Sequence, residues 1–422
     1  MVRLAYKRAV LAALEATPDF SQLEVFQRVG EADRSRILKW LDQSGLGLYL
    51  LFQLREASAE SRLPPHFLEA LEQRLEANRA RTAEYLQDFR IICKTLTEGN
   101  VRFVALKGFT LVPDFCPRFE LRHQADIDLW VQRDCLENAI SQLARCGFTP
   151  RSNAGGHHIS MAGRGEERVS LNESIYRPGR FRRLELHVSL LELIPVNMQY
   201  PGGQWQRARR HVFGDTSFFS LAPADMFIYQ VYHAFKHLFS YWARPSWLYE
   251  IAHFLNSTHA CYTLWSDVCN SIGENATLRD GIGLIVDLVG NLFSPRVSPI
   301  LAAHCLRGLP REIILWNRYF GERVALSTPL GNKVALLIQK SFIKDPAAWS
   351  KHFWQRLFPL RSAQSDLVLT EICGKPLAPT LTDRWNQLRF TLQKARFHGT
   401  FLFAYPVHAL RWRFLRTLSG LR

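Results

Sequence analysis

Two aspartates alternate with apolar residues in the segment 125–131, whose sequence is ADIDLWV. The alternation predicts a β-strand, on which residues two apart point to the same face at a spacing of ~6.5–7 Å. Burying two carboxylates on an otherwise apolar strand is costly unless a cation or hydrogen bonds compensate. Carboxylate oxygens suit Mg²⁺ or Mn²⁺, and paired ions in such sites lie ~3.5–4 Å apart. Asp126 and Asp128 therefore predict a divalent-metal site that holds two ions, unless they are solvated partners of Arg118 or Arg122.

A third carboxylate lies on a later predicted strand, in the segment 183–188 with the sequence RLELHV. Glu185 and His187 share one face of that strand. Three carboxylates at the edge of one sheet suit in-line nucleotidyl transfer, because two ions can activate the attacking hydroxyl and stabilise the leaving pyrophosphate. His187 could orient a carboxylate, contact the acceptor, or simply be a half-buried strand histidine.

A predicted turn for binding phosphate precedes the aspartates. Lys107 and Gly108 directly follow the apolar, β-branched segment 101–106, which predicts a buried strand. Glycine lets the backbone approach a phosphate closely, and a helix predicted over residues 110–115 would offer free N–H groups. Lys107 can neutralise phosphate charge. Arg122 could clamp a phosphate or pair with one of the aspartates.

The elements that position these residues follow from periodicity. Residues 65–97 predict one long amphipathic helix that ends at Gly99 and Asn100, both of which tolerate a left-handed backbone. Strands and helices then alternate, with strands also predicted near 157–161 and 168–171. Helical patterns return from Pro223 to about residue 343. The fold class predicted is α+β, a small mixed sheet flanked by N-terminal and C-terminal helical regions.

Composition limits the compartment and the partners. No apolar run approaches the ~18 residues of a membrane-spanning helix, and the apolar first helix is predicted to belong to the core. The eight cysteines form no CxxC pair, which disfavours a zinc ribbon and favours reduced cysteines in the cytoplasm. The net charge is +15, and from residue 350 twelve Lys/Arg face three Asp/Glu. We expect this basic tail to be folded and mostly helical, with at least one apolar stripe packed on the protein itself. Any exposed arginine face would contact an anionic surface weakly, either a membrane periphery or nucleic acid.

These motifs, taken in order along the chain, resemble a known family. The order is Leu106-Lys107-Gly108, Arg122, Asp126-Ile127-Asp128-Leu129, Gly147-Phe148, Glu185-Leu186-His187, and then His233 and the segment 247–250. Over roughly residues 65–260 the chain resembles the uncharacterised nucleotidyltransferase family of the polymerase-β-like superfamily. The resemblance implies that Asp126 and Asp128 are metal ligands and Glu185 the third carboxylate. Phe109 replaces the serine of the superfamily's Gly-Ser turn, and Glu250 stands where the family tends to have aspartate.

The pattern of elements along the chain predicts a domain organisation, and the resemblance implies a reaction. Residues 1–98 are predicted to be an N-terminal helical region, 99–198 the nucleotidyltransferase α/β core, 220–343 a C-terminal helical region, and 344–422 the basic tail. The predicted enzyme moves a nucleoside monophosphate from an NTP to an unidentified acceptor, which is a small molecule, a saccharide, a protein or RNA. His187 and His233 are candidates for the acceptor pocket. His233 and His237 also have the spacing of a helical zinc pair, without an obvious third ligand.

Two other functions remain open at this point. Glycosyltransferases also use a DxD motif to hold a metal and a nucleotide-sugar, but they usually place it in a loop after a strand, whereas residues 129–131 continue the strand here. A non-catalytic module that binds nucleotide or RNA is the second alternative. The presence of all three carboxylates speaks against such a degenerate site.

Overall fold

Seven strands form one mixed sheet in a computed structural model of the chain. The structure describes residues 2–154, 158–163, 175–176, 183–190, 196, 198, 202–240, 242–327, 333–359, 371–372, 375–376 and 381–421. The strands of this sheet are β1 (Phe103–Ala105), β2 (Ile127–Val131), β3 (Thr149–Ala154), β4 (His158–Ala162), β5 (Arg183–His187), β6 (Arg209–Phe213) and β7 (Thr216–Ser220). Two short strands, β8 (Glu371–Ile372) and β9 (Lys375–Pro376), pair separately.

The strand order places β2 at the centre of the sheet. The order is β3-β4-β5-β2-β1-β7-β6, with β2 parallel to β5 and antiparallel to β1. β1 is parallel to β7, and the remaining neighbours are antiparallel. Polar side chains on β2 therefore lie beside those of β5, in the middle of the sheet and away from its edges.

Helices surround the sheet and form most of the chain. They are α1 (Leu4–Ala12), α2 (Glu31–Ser44), α3 (Gly47–Glu56), α4 (Pro65–Glu98), α5 (Leu136–Arg145), α6 (Gln204–Arg207), α7 (Pro223–Phe239), α8 (Pro245–Thr258), α9 (Tyr262–Ile272), α10 (Ala276–Phe293), α11 (Pro299–Leu301), α12 (Arg311–Trp316), α13 (Glu322–Ala325), α14 (Leu336–Phe342), α15 (Pro346–Leu357) and α16 (Leu381–Leu418). The α+β fold class with flanking helical regions is thereby confirmed.

The alternation of β2 gives the sheet two different faces. Ile127 and Leu129 pack with residues of α4 and α5 in a small core on one face. Trp130, on the opposite face, packs against the large helical core that includes α7, α8 and α10. Asp128 leaves the sheet on the same face as Trp130, because side chains two apart share a face. The acidic side chains thus point toward the helical region.

The structure confirms some of the predicted helices and strands and corrects others. The long helix is confirmed as α4, and Asn100 after it has a φ of 53°. The helix predicted over residues 110–115 is wrong, because a short 3₁₀ segment, Gly108–Leu111, takes its place. Pro113 explains the difference, since it has no N–H and disfavours helix in the residue before it. The strand predicted near 168–171 lies outside the described residues.

Two strands of the sheet, β6 and β7, were not predicted. They form a hairpin across the two-residue connection Gly214-Asp215, and β7 pairs with β1. A glycine followed by aspartate between alternating segments is a recognised hairpin signal, so the sequence did contain the information. Within the described residues, no helix is long and apolar enough to cross a membrane.

Candidate active site

The floor of the candidate site is formed by β2 and β5. Asp128 and Glu185 are partners in the register of these parallel strands, and His187 follows two residues later on the same face. One potential ligand atom from each of Asp128, Glu185 and His187 lies within 4.8 Å of the others. The sequence analysis named Asp128 and Glu185 as metal ligands and His187 as a residue that could orient a carboxylate or contact the acceptor, and the structure brings the three together.

Asp128 is held by two nitrogen donors. Lys107 Nζ donates to its Oδ1 at 3.1 Å, and His187 Nε2 donates to the same oxygen at 2.9 Å. The side chain of Asp128 is only 1% exposed. Burial by itself would raise the pKa of Asp128, but Lys107 and His187 outweigh it and hold that pKa below its usual range. Burial likewise opposes the charge of Lys107, yet Asp128 raises the pKa of Lys107 above its usual value.

The other two carboxylates are held less firmly. Burial, with the neighbouring charges of Asp128 and Asp126, raises the pKa of Glu185 to about 7. Asp126 immediately precedes β2 and lines the same cleft as Glu185. Burial and the charge of Asp128 raise the pKa of Asp126 as well. Three carboxylates in mutual repulsion are a site that a cation would stabilise.

The donor set can be compared with the needs of a divalent ion. Mg²⁺ takes oxygen ligands at ~2.1 Å, so ligands on opposite sides of the ion are ~4.2 Å apart. The group formed by Asp128, Glu185 and His187 is close to that size. Its carboxylate oxygens suit Mg²⁺ or Mn²⁺, and His187, whose Nε2–H donates to Asp128, is an orienting partner of the carboxylates. The residues present therefore fit a divalent cation. In this structure the ammonium group of Lys107 offsets the negative charge of Asp128, which such an ion would also neutralise.

The loop before β2 is fixed by side chains of α4. Asn78 Nδ2 donates to the backbone oxygens of Glu120 and Arg122 at 2.7 and 3.2 Å. Arg81 Nη2 donates to Gln124 O at 2.8 Å, and Tyr85 OH donates to Ala125 O at 2.7 Å. These three side chains recur at helical spacing on the buried face of α4. The sequence analysis did not assign these residues to the site. The signal that could have revealed them is the presence of two polar residues, Asn78 and Arg81, on the buried stripe of α4.

Arg122 is positioned by a buried carboxylate from α8. Arg122 Nε donates to Glu250 Oε1 at 3.0 Å, and Tyr49 OH donates to the same oxygen at 2.9 Å. The side chain of Glu250 is 2% exposed. Burial opposes the charge of Arg122, but Glu250 raises the pKa of that guanidinium. Arg122 thus pairs with Glu250, not with the predicted aspartates, and its guanidinium lines the cleft.

Gly108 has a steric role in the structure. Its φ is 68°, and a Cβ at this position would lie 2.4 Å from Gln124 Nε2. That nitrogen donates to Asp126 O at 2.9 Å, so Gly108 allows the loop to approach the start of β2. Gly108 itself is buried and is not among the residues that line the cleft.

Helices α7 and α8 form the opposite wall of the cleft, which has a volume of about 320 Å³. His233 and His237 pack against Trp247, with ring centroids 4.5 and 4.6 Å away. Burial, together with the charge of Lys107, holds the pKa of His233 well below its usual value. Within the described residues, the two histidines are not part of a group of three potential metal ligands.

The same wall contributes cations that the sequence analysis did not assign. Lys236 and Arg244 line the cleft with Lys107 and Arg122. Arg244 is anchored by donating to the backbone oxygens of Asp42 and Gln43, at 3.1 and 3.2 Å. Nothing in the local pattern around Arg244 distinguishes it from a surface arginine, because its role depends on how α2 and α8 pack.

The fold and the site together define an α+β protein with an acidic sheet face beneath a cation-lined cleft. The chain belongs to the uncharacterised nucleotidyltransferase family, whose model matches residues 30–294. That span includes the strands of the sheet and both helices of the cleft wall. Searches of the curated proteins and of the solved structures found no match. The family supports a transferase of nucleotidyl groups in general.

Proposed function

We propose that the protein is a metal-dependent nucleotidyltransferase of the polymerase-β-like superfamily, which transfers a nucleoside monophosphate from an NTP to an acceptor. One observation carries the proposal: Glu185 lines a cleft with four cationic side chains, and its register partner Asp128 is buried beside it on the adjacent strand. Carboxylates suit metal ions, and cations suit phosphates, so the cleft has complementary groups for both parts of a metal–NTP complex.

Asp126, Asp128 and Glu185 are the proposed ligands for Mg²⁺ or Mn²⁺. The proposed site holds two ions. When bound, such ions neutralise charge on the transferred phosphate and lower the pKa of the attacking hydroxyl. His187 donates to Asp128 and lies 3.5 Å from Glu185, so it orients both carboxylates. An orienting partner of this kind fixes a ligand before the ion arrives.

Lys107 and Arg122 are the proposed phosphate-binding residues. Arg122 uses Nε to contact Glu250 and lines the cleft, so its terminal nitrogens are the proposed donors to phosphate. Gly108 supports this end of the site by allowing the close approach of Gln124. In the reaction, the acceptor oxygen bonds to the α-phosphorus while the bond to the bridging oxygen of pyrophosphate breaks. The proton of the acceptor hydroxyl passes to the partly exposed Glu185 carboxylate.

The acceptor is proposed to lie against the α7–α8 wall, beside His233 and near His187. Aromatic rings on that wall suit a planar or saccharide group. The acceptor is a small molecule, a saccharide, a protein or RNA. We propose the cytoplasm as the location of the reaction, because the proposed NTP donor is available there.

The experiment that tests the proposed function compares three labels in a cell extract that supplies acceptors. The protein is incubated with Mg²⁺ and NTPs labelled at the α-phosphate, NTPs labelled at the γ-phosphate, or nucleotide-sugars labelled in the sugar. We expect incorporation of the α-label only, and its loss in Glu185→Gln but not in Glu274→Gln, an exposed control. Incorporation of the sugar label would instead identify a glycosyltransferase. Nucleotide binding without any incorporation would support a non-catalytic module.

A further inference from the structure

The C-terminal helix α16 exposes a long apolar stripe. Of the twenty large hydrophobic residues that are exposed in the described part of the chain, ten lie on this helix. We define the outer stripe as nine of them: Leu381, Trp385, Leu388, Leu392, Phe403, Val407, Leu410, Phe414 and Leu418, which are 48–86% exposed. Their spacing of three or four residues, interrupted between 392 and 403, places them on one side of the helix.

Over residues 405–416, the opposite side of α16 is packed against the body of the protein. Trp412 is 5% exposed, and its ring centroid lies 6.0 Å from that of Phe320. Tyr405 contacts Phe353 at 5.7 Å, and Arg416 pairs with Glu312 at 3.4 Å. This packing holds the second half of the outer stripe, from Phe403 to Leu418, outward as a fixed surface feature. Exposed apolar surface of this length is informative because monomeric proteins rarely present it without a partner.

The net charge of α16 helps to choose among the partners that could cover the outer stripe. Residues 381–422 contain eight Lys/Arg and one Asp, a net charge of +7. On a helix with 100° per residue, Arg411 and Arg413 flank the outer stripe at either side, and Arg389 and Arg396 lie along it. A second copy would bring two such helices face to face, and their like charges would repel each other. A nucleic acid would use the arginines but not the apolar stripe.

We infer that α16 lies on an anionic membrane surface, with the outer stripe in the interfacial region and the arginines at the level of lipid phosphates. An anionic lipid surface uses both properties of the helix, because interfacial helices combine an apolar face with flanking Lys/Arg. Long arginine side chains can reach headgroups while their stems stay apolar. Trp385 adds an indole, which favours the membrane–water interface. This association does not depend on the nucleotidyltransferase reaction.

Vesicle co-sedimentation of the full-length protein tests the inference. Vesicles of phosphatidylcholine are compared with vesicles of phosphatidylcholine and phosphatidylglycerol at several salt concentrations. We expect binding to the anionic vesicles that weakens as salt rises, and little binding to pure phosphatidylcholine. The double variant Leu410→Ser/Phe414→Ser should weaken binding at least about tenfold, because two interfacial apolar contacts are lost. Arg389→Gln/Arg413→Gln should weaken binding at low salt and flatten its salt dependence.

The control variant is Val212→Ser/Tyr262→Ser, which removes two side chains exposed by 65% and 72% elsewhere on the surface. It should bind vesicles like the wild type. Circular dichroism of each variant checks that the fold is retained. Absence of binding to anionic vesicles at low salt overturns the inference, as does equal weakening by the control. Self-association abolished by Leu410→Ser/Phe414→Ser, or RNA binding in place of vesicle binding, would assign the stripe to another occupant and also overturn it.

Discussion

Asp128 on β2 and Glu185 on β5 are register partners in parallel strands, and their side chains leave the sheet on the same face, where Glu185 lines the cleft. The relationship matters because the pairing of the two strands fixes their Cα atoms side by side, so both carboxylates start from neighbouring points on one face. Mutual repulsion is therefore built into the sheet, and Lys107 offsets it by its contact with Asp128. A bound cation would relieve the remaining repulsion at Glu185 and Asp126.

Replacing Lys107 tests whether its charge contributes both to the stability of the fold and to NTP binding. Lys107→Ala leaves Asp128 buried with one fewer donor, which should cost roughly 1.5–3 kcal/mol of unfolding free energy, the range for hydrogen bonds to charged groups. NTP affinity should also fall about tenfold or more, equivalent to ~1.4 kcal/mol. Urea unfolding and equilibrium nucleotide binding measure the two effects. The exposed Lys94→Ala on α4 is the control, and a variant indistinguishable from it would refute this role.

The pair Arg122–Glu250 predicts non-additive stability. Arg122→Gln leaves the buried Glu250 without its positive partner, and breaking a buried pair from one side costs about 3–5 kcal/mol. The double variant Arg122→Gln/Glu250→Gln should recover part of that stability, because no unpaired charge remains. NTP binding should stay weak in both variants, since both lack the guanidinium. A double variant less stable than Arg122→Gln, or one that binds NTP normally, would contradict the assignment.

The contacts from α4 predict an effect on activity from outside the cleft. Asn78→Leu removes the donor to two backbone oxygens of the loop that carries Arg122, and unsatisfied buried oxygens cost about 1–3 kcal/mol. We expect a lower kcat in the transfer assay, because the loop holds Arg122 and Asp126 in place. Glu76→Gln, on the exposed side of the same helix, should change neither the stability nor kcat. Equal activity of the two variants would show that the contacts do not position the site.

These residues also show what a sequence can reveal. The period of two along segments 125–131 and 183–188 was sufficient to place Asp128 and Glu185 on the faces of their strands. The contact between Lys107 and Asp128 was not predictable, because it depends on the pairing of β1 with β2. The pairing of Arg122 with Glu250 joins residues 128 positions apart and requires α8 to pack beside the sheet. Local periodicity specifies a face, whereas tertiary packing specifies which faces meet.

A histidine of α15 that contacts α14 predicts the behaviour of the protein in acid. His352 Nε2 donates to Gln339 Oε1 at 2.7 Å, and burial, with the charge of Arg356, lowers the pKa of His352 to about 4. The unfolded chain takes up this proton near pH ~6.5, so the folded state loses stability as pH falls from ~6.5 toward 4. The loss has an upper bound of ~3 kcal/mol, at ~1.36 kcal/mol for each unit of pKa.

Urea unfolding at several pH values measures this contribution. Between about pH 4 and 6.5, the unfolding free energy of the wild type should depend on pH more steeply than that of His352→Gln, by up to one proton. Above that window the two pH dependences should run parallel. Identical slopes throughout would mean that His352 does not titrate differently in the folded and unfolded states.

The central claim is that the carboxylates of the cleft bind a divalent metal together with an NTP, and Mn²⁺ paramagnetic resonance tests it most directly. The free Mn²⁺ signal is followed as protein is added, with and without a non-hydrolysable NTP analogue. The wild type should bind Mn²⁺, and more tightly with the analogue. Asp126→Asn should lose this binding and remain folded, because removing one charge relieves carboxylate repulsion. The exposed control Asp267→Asn should match the wild type. Unchanged Mn²⁺ binding in Asp126→Asn and Asp128→Asn would contradict the claim.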